Sequence, residues 1–408
     1  MNKLLLIFML IISNFIIPAV AEDKKLYVYL DADLSDNKAS SKAIQQGIEL
    51  AFSEIDNTLN DFTIAFKYLN HRGNAIRSKR NYQAFINDPN ALVIYSGIHS
   101  PPLIKNRTYI NENKALTLIP WAAADYITRY PSTENWMFRL SIDDSRAGPF
   151  LINYAITEQQ CKKPHLLLEK TPWGDANLKT MSEALKTHGI DKHETTRFSW
   201  NIKAKAAAVI VNEIAHSQSD CIVLVSNATE GAVIVNEILN KPENQRLPII
   251  SHWGITSGNF HEIISNERRK TLQLNFIQTC FAFTNPYQSS FANDVFSKLI
   301  AHSKGEITEP ADLKSAVGFI HAYDLTKLFI QAVKQVGLSG EMNIDRNNIR
   351  LALENIDKPI QGLVKNYIKP FSKFDQKTNN NAHEALDLDS YCMAKFGKSD
   401  EILIAVDL

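Results

Sequence analysis

Apolar and polar positions along the chain switch repeatedly between two rhythms. Short apolar runs, read as strands, alternate with longer stretches whose apolar residues return every three or four positions, read as helices. Lys25–Leu30 is the first strand. The polar loop Asp31–Ser41 leads into a helix expected over Lys42–Ile55. There Ile44, Ile48, Ala51 and Ile55 form one stripe, while Gln45, Gln46, Glu49 and Glu54 fall mostly toward water. Thr63–Leu69 returns to strand character and Ile76–Asn87 to a helix anchored by Tyr82 and Phe85; Ala91–Tyr95 and Ala115–Ile119 are compact apolar strands. Apolar strands separated by helices predict a parallel sheet covered on both faces.

The alternation resumes after Pro149. His165–Glu169, Thr195–Trp200, Cys221–Ser226 and Leu247–His252 read as strands, and Asn177–His188, Ile202–His216 and Thr229–Leu239 as the helices between them. This predicts a second α/β unit with its own sheet. Phe291–His302 and a long helix from about Pro310 to Val336 rejoin the first unit, with Gly337 and Gly340 beyond the far end. Ala316, Phe319, Ile320, Tyr323 and Ile330 stripe that helix, and Lys327 at its edge is expected to reach water. Tyr367–Phe371 and Ile402–Val406 are late strands expected in the second unit.

Ahead of this pattern lies a leader. Lys3 gives a positive start, Leu4–Pro18 an apolar core, and Ala19-Val20-Ala21 a small-x-small cleavage site before Glu22. The expectation is a signal peptide over residues 1–21 and an exported chain of about 387 residues, more than one core usually serves. No later apolar stretch reaches membrane-spanning length. Lys and Arg total 44 and Asp and Glu also 44, with no basic field, which argues against a nucleic-acid partner.

Several short segments, in their order and spacing, resemble the type I periplasmic substrate-binding proteins, especially the branched-chain amino acid binding group. They are Leu34-Ser35, the Gly47–Ile55 helix, Gly97-Ile98-His99-Ser100, Phe138-Arg139-Leu140, Trp173-Gly174-Asp175, Ala322-Tyr323-Asp324-Leu325 and Gln361-Gly362-Leu363. The resemblance implies a two-lobed fold, each lobe a parallel-rich sheet flanked by helices. The first lobe would take residues 22–142 and 279–355 and the second 143–278 and 356–408. Three hinge crossings would fall near Arg139–Ser145, Phe276–Phe283 and Asn355–Leu363. It further implies a periplasmic monomer that captures a small organic solute by lobe closure and delivers it to an inner-membrane ABC permease; a ligand-sensing subunit of a membrane signalling protein is the alternative.

Ligands of open parallel sheets gather beyond the carboxyl ends of the strands. Ser100, after the Ala91–Tyr95 strand, can direct its hydroxyl and nearby N–H groups at an oxygen, or simply cap the helix that follows; the resembled proteins use this serine on a carboxylate. His99 faces the same opening or solvent. Trp121 offers a flat wall or core packing, and Ala122, Ala123 and Ala124 let a ligand approach their backbone. Trp173 and the pair His252-Trp253 are the second-lobe candidates. The resembled proteins hold an ammonium with an acid near the latter, and Trp253–Gly258 has none, which weakens an α-amino acid reading. An amide, carboxylate or aromatic metabolite fits. Arg139 and Asp143 at the first crossing read as hinge, ligand or surface-pair residues, and Asp324 as a cap or structural hydrogen-bond partner, or else a ligand or hinge residue.

Cys161 and Cys221 head two strands and approach closely if those strands are neighbours; Cys280 with Cys392 would complete the set, although three connectivities are open. Their spacing is not that of a zinc or dithiol redox motif, and neither metal nor cofactor is expected. No nucleophile elbow, H-E-x-x-H or phosphate-cradling glycine motif occurs, so a secreted enzyme is disfavoured.

Overall fold

The computed structural model describes residues 24–131, 134–258 and 260–405, so the leader expected over residues 1–21 lies outside it. Two separate sheets form. The first contains β1 (Lys25–Ala32), β2 (Thr58–Leu59), β3 (Phe62–Asn70), β4 (Ala91–Ser96), β5 (Thr117–Ile119) and β6 (Met137–Arg139), in the order β2-β3-β1-β4-β5-β6. Only the short β2 runs antiparallel. The second takes β7 (Pro164–Glu169), β8 (Glu194–Phe198), β9 (Cys221–Val225), β10 (Ile249–Ser251) and β11 (Leu274–Thr279). A hairpin of β12 (Ile360–Gln361) and β13 (Asn366–Tyr367) stands apart, after which β14 (Tyr391–Phe396) and β15 (Ile402–Ile404) close the second sheet as β15-β14-β11-β10-β9-β7-β8.

Helices cover both sheets: α1 (Lys38–Ser53), α2 (Ala75–Asn87) and α3 (Ser100–Glu112), then α4 (Asp144–Thr157), α5 (Pro172–Thr187), α6 (Ala204–His216) and α7 (Ala228–Leu239). Two single-turn helices, α8 (Phe260–Ile263) and α9 (Asn266–Arg269), precede α10 (Ser290–His302), α11 (Ala316–Val336) and α12 (Met342–Leu353). Helix α1 packs along α11 so closely that a Cβ on Gly47 would stand 2.4 Å from the Phe319 carbonyl oxygen.

Some expectations change. Helix α4 carries Pro149 within its second turn, so the second helical pattern starts before that proline. Helix α11 begins at Ala316 because Asp312 accepts the Thr308 and Glu309 N–H groups in a separate turn and Ser315 takes a left-handed φ of 55°. Lys327 reaches Glu54 at 2.6 Å, and Glu54 is thereby drawn from solvent. Burial works against its ionisation, yet Lys327, Lys298 and Tyr323 together hold its carboxyl below the ordinary value.

The largest change concerns the third crossing, expected near Asn355–Leu363. Residues 356–386 remain on the first sheet's side. Asp324 on α11 accepts the Leu363 and Val364 N–H groups and the Tyr367 hydroxyl at 2.7, 3.0 and 2.8 Å, which fixes the β12–β13 hairpin. The His383 ring stacks on that of Phe138, with centroids 3.7 Å apart and the ring planes nearly parallel. The Arg139 N–H donates to His383 and the Ala385 N–H to Arg139, extending the sheet beyond β6. The chain enters the second sheet only at β14, beside β11. Tyr367 therefore belongs to the hairpin, whereas Ile402–Ile404 does reach the second sheet.

Both cysteine pairs are disulfides. Cys161–Cys221 joins residues 60 apart at the starts of neighbouring strands β7 and β9, and Cys280–Cys392 spans 112 residues and ties β11 to β14. Replacing Cys280 and Cys392 together with serine is expected to cost about 2–4 kcal/mol, read from urea unfolding, because a long loop is released in the unfolded chain. Asp324→Ala should cost at least about 2 kcal/mol by the same measurement, since it strands one buried and one half-buried N–H and a buried hydroxyl.

Candidate functional site

Each sheet has a point where chain order reverses: between β1 and β4 in the first, between β7 and β9 in the second. Loops leaving such adjacent parallel strands diverge to opposite faces and open a crevice. The two crevices face one another. Between them lies a cavity lined by Ile98, His99, Ser100, Pro101, Trp121 and Ala123 from the first sheet's loops. Glu169, Thr171, Trp173, Trp200, Asn227, Trp253 and Gly254 line it from the second.

The cavity is small. Its free space is about 10 Å³, roughly the room of one water. Trp121 and Trp253 meet across it with ring centroids 5.5 Å apart, and both are buried. Trp253 also packs on His321, 5.3 Å away. Gly254 permits this closeness, because a Cβ there would stand 2.5 Å from the Ser226 carbonyl oxygen and 2.7 Å from Trp173. Any organic solute larger than a water must therefore enter with the lobes further apart than this.

On the first side, Gly97 crosses Ala32 so tightly that a Cβ would come within 2.9 Å of it, which sets His99 and Ser100 over the start of α3. Ser100 Oγ accepts the Ala124 N–H at 3.2 Å. His99 Nε2 stands 3.2 Å from Asp33, which also accepts from Asn37 and from the Ser35 and Asp36 N–H groups. Burial opposes ionisation of Asp33, but these partners hold its carboxyl well below the ordinary range. His71 lies beside His99, and burial, reinforced by that neighbour, pushes it down to about 3, so it is neutral.

The second side carries the site's unmatched groups. Glu169 ends β7 and is only 1% exposed. Its Oε1 accepts the Asn227 N–H at 2.8 Å, while Oε2 has no donor among the described residues. The Trp173 indole N–H is likewise buried without an acceptor. Burial, reinforced by Glu230, pushes the Glu169 carboxyl up to about 8.

Of the expected wall residues, His99, Ser100, Trp121, Ala123, Trp173 and Trp253 come together here. Ala122, Ala124 and His252 lie outside the lining. The Ala122 and Ala124 carbonyl oxygens accept from Arg139, and His252 Nε2 is 2.8 Å from Asp144 on α4. Arg139 is wholly buried and reaches Glu384 through two nitrogens at 2.7 Å each, so it is neither a surface pair nor a wall residue. Asp143 is buried between Arg129 and Arg139 and caps α4 through the Ser145 N–H; burial notwithstanding, the two guanidiniums draw its carboxyl down to about 2.

Glu169, Thr171, Trp200 and Asn227 were missed in the sequence reading. Glu169 and Trp200 end predicted strands of the second unit and Thr171 and Asn227 follow them, close to the signal that singled out Ser100 and Trp173. Attention to Trp253–Gly258 alone hid the carboxylate, which comes from β7.

Two lobes of covered parallel sheet, whose loops converge on one cleft, define a bilobal solute-binding architecture. The periplasmic binding protein family model matches residues 29–385, and the chain belongs to that family. It is similar to a type 1 periplasmic binding protein of Bordetella pertussis Tohama I, at 16% identity and a TM-score of 0.77, over 93% of this chain and 99% of that one. LivJ of Streptococcus pneumoniae, solved with isoleucine, shares 18% identity at a TM-score of 0.72 over 93% and 100% of the two chains. A solute-binding protein of Rhodopseudomonas palustris HaA2, solved with p-hydroxybenzoic acid, shares 14% at 0.74 over 94% and 96%. No curated protein matches the sequence.

A carboxyl raised to about 8 binds its proton more tightly in the folded chain than in the unfolded one, so it subtracts stability as pH rises from the ordinary glutamate range to about 8. Glu169→Gln should flatten the fall in stability over that window, by up to about 1.4 kcal/mol per pH unit, in urea titrations from pH 5 to about 8.

Proposed function

We propose that the chain is a periplasmic receptor that captures a small organic solute between its lobes and delivers it to an inner-membrane ABC permease. The observation that carries this reading is the convergence of both sheets' switch-point loops on one cavity, which a solute touching Ser100 and Trp173 would bridge. Such a solute favours the closed arrangement by its contacts to both halves at once. The relatives solved with isoleucine and with p-hydroxybenzoic acid support a small organic molecule in a fold of this kind.

Among the described residues the lobes are assigned as 24–142 and 279–386 against 143–278 and 387–405. The revised boundary follows the attachment of residues 356–386 to the first sheet. Export rests on the leader over residues 1–21, and no described helix is long and apolar enough to cross a membrane. The cavity residues are assigned to binding and none to catalysis.

Native mass spectrometry of undialysed protein, followed by calorimetry with the released compound and a metabolite panel, tests the reading. One solute per chain, bound saturably, is expected. Small-angle scattering should show a radius of gyration that falls when this solute is added to stripped protein, since the cavity admits it only through prior opening. Absence of saturable binding across the panel contradicts the assignment.

A further inference from the structure

We propose that the captured solute is an organic cation, its charge seated against Glu169 and enclosed by indole rings. The proposal rests on the cleft reading above and narrows it to a chemical class.

Two independent observations support it. The first is the unmatched oxygen. Glu169 is 1% exposed, lines the cavity, and presents Oε2 with no donor among the described residues. No Lys, Arg or His among them forms an ion pair with it. Arg197 runs alongside, yet its guanidinium donates to the Glu169 carbonyl oxygen and pairs with Asp175. Glu230 adds negative potential and no described cation pairs with the carboxylate, so a cationic solute would supply the missing partner. Seated there, it favours the ionised carboxylate that burial and Glu230 otherwise oppose.

The second observation is the wall. Four of the chain's five tryptophans, Trp121, Trp173, Trp200 and Trp253, line this one small cavity. Indole faces are the strongest aromatic partners of ammonium groups, and quaternary ammonium ions are recognised by aromatic enclosures. A carboxylate that ends one strand and indoles contributed by both lobes line the same cavity. A neutral solute without a hydrogen-bond donor would use the rings but leave Glu169 buried and unmatched.

Calorimetric titration of the dialysed full chain with tetramethylammonium, choline and guanidinium tests this, with 3,3-dimethylbutan-1-ol as choline's neutral isostere. Binding of at least one cation is expected, with choline, if bound, favoured over its isostere by about tenfold or more. Glu169→Gln should weaken the cation by about tenfold and leave the isostere unchanged. Trp200→Leu, at a half-buried position on the rim, should weaken it too and carries the test if the Glu169 variant does not fold. Equal affinity for the isostere, undiminished cation binding by Glu169→Gln, or no cation binding up to about 10 mM overturns the proposal. In those cases a neutral or anionic solute found by native mass spectrometry leaves the cleft reading standing, whereas absence of any solute overturns both.

Discussion

The structure turns on one buried guanidinium. Arg139 ends β6, where the chain first leaves the first sheet, and it is entirely removed from water. It grips Glu384, from the segment that returns last to the second sheet, and the carbonyl oxygens of Ala122 and Ala124, from the loop that presents Trp121. Asp143, the cap of α4, completes the neutralisation from the other side. A buried ion of this kind is stable only while its partners stay in place, and removing one typically costs about 3–5 kcal/mol because the remaining charge is stranded. Two crossings and one cleft loop are thus held to a common point.

That anchoring leaves the cleft free to hold groups that stability alone would not select. An unmatched carboxylate oxygen and an unmatched indole N–H in a nearly dry cavity each cost about 1–3 kcal/mol. Similar orphans in the hinge are absent from Arg139 and Glu384, whose polar atoms are taken up by one another and by nearby carbonyls and hydroxyls. The polar atoms of this hinge pair are satisfied internally, while Glu169 and Trp173 on the cavity wall each keep one buried polar atom without a partner among the described residues.

Much of the fold was legible because its strands are short, apolar and separated by helices with clear stripes. The pairing of Cys161 with Cys221 followed once β7 and β9 were neighbours. Residues 356–386 were misread because they hold little regular structure: a hairpin of two-residue strands fixed by Asp324 and a loop fixed by Arg139, both long-range contacts with no local periodicity. The strand Tyr391–Phe396 escaped for a related reason, since its antiparallel place beside β11 depends on a partner more than a hundred residues away. In the cleft, residues next to strand ends were recognisable by position, and six of nine fell on the wall. Glu169 was not, because a glutamate at a strand end looks like any solvated charge until the folded chain buries it.

The central claim is that a solute occupies the space between the lobes and moves the four indoles around it. Fluorine NMR of protein labelled with 5-fluorotryptophan tests this most directly, because the fifth tryptophan, Trp136, is buried against Arg350 away from the cavity and serves as an internal control. On addition of the co-purifying solute, the resonances of Trp121, Trp173, Trp200 and Trp253 should shift together and that of Trp136 should stay. A bound solute that leaves those four resonances in place would contradict the account.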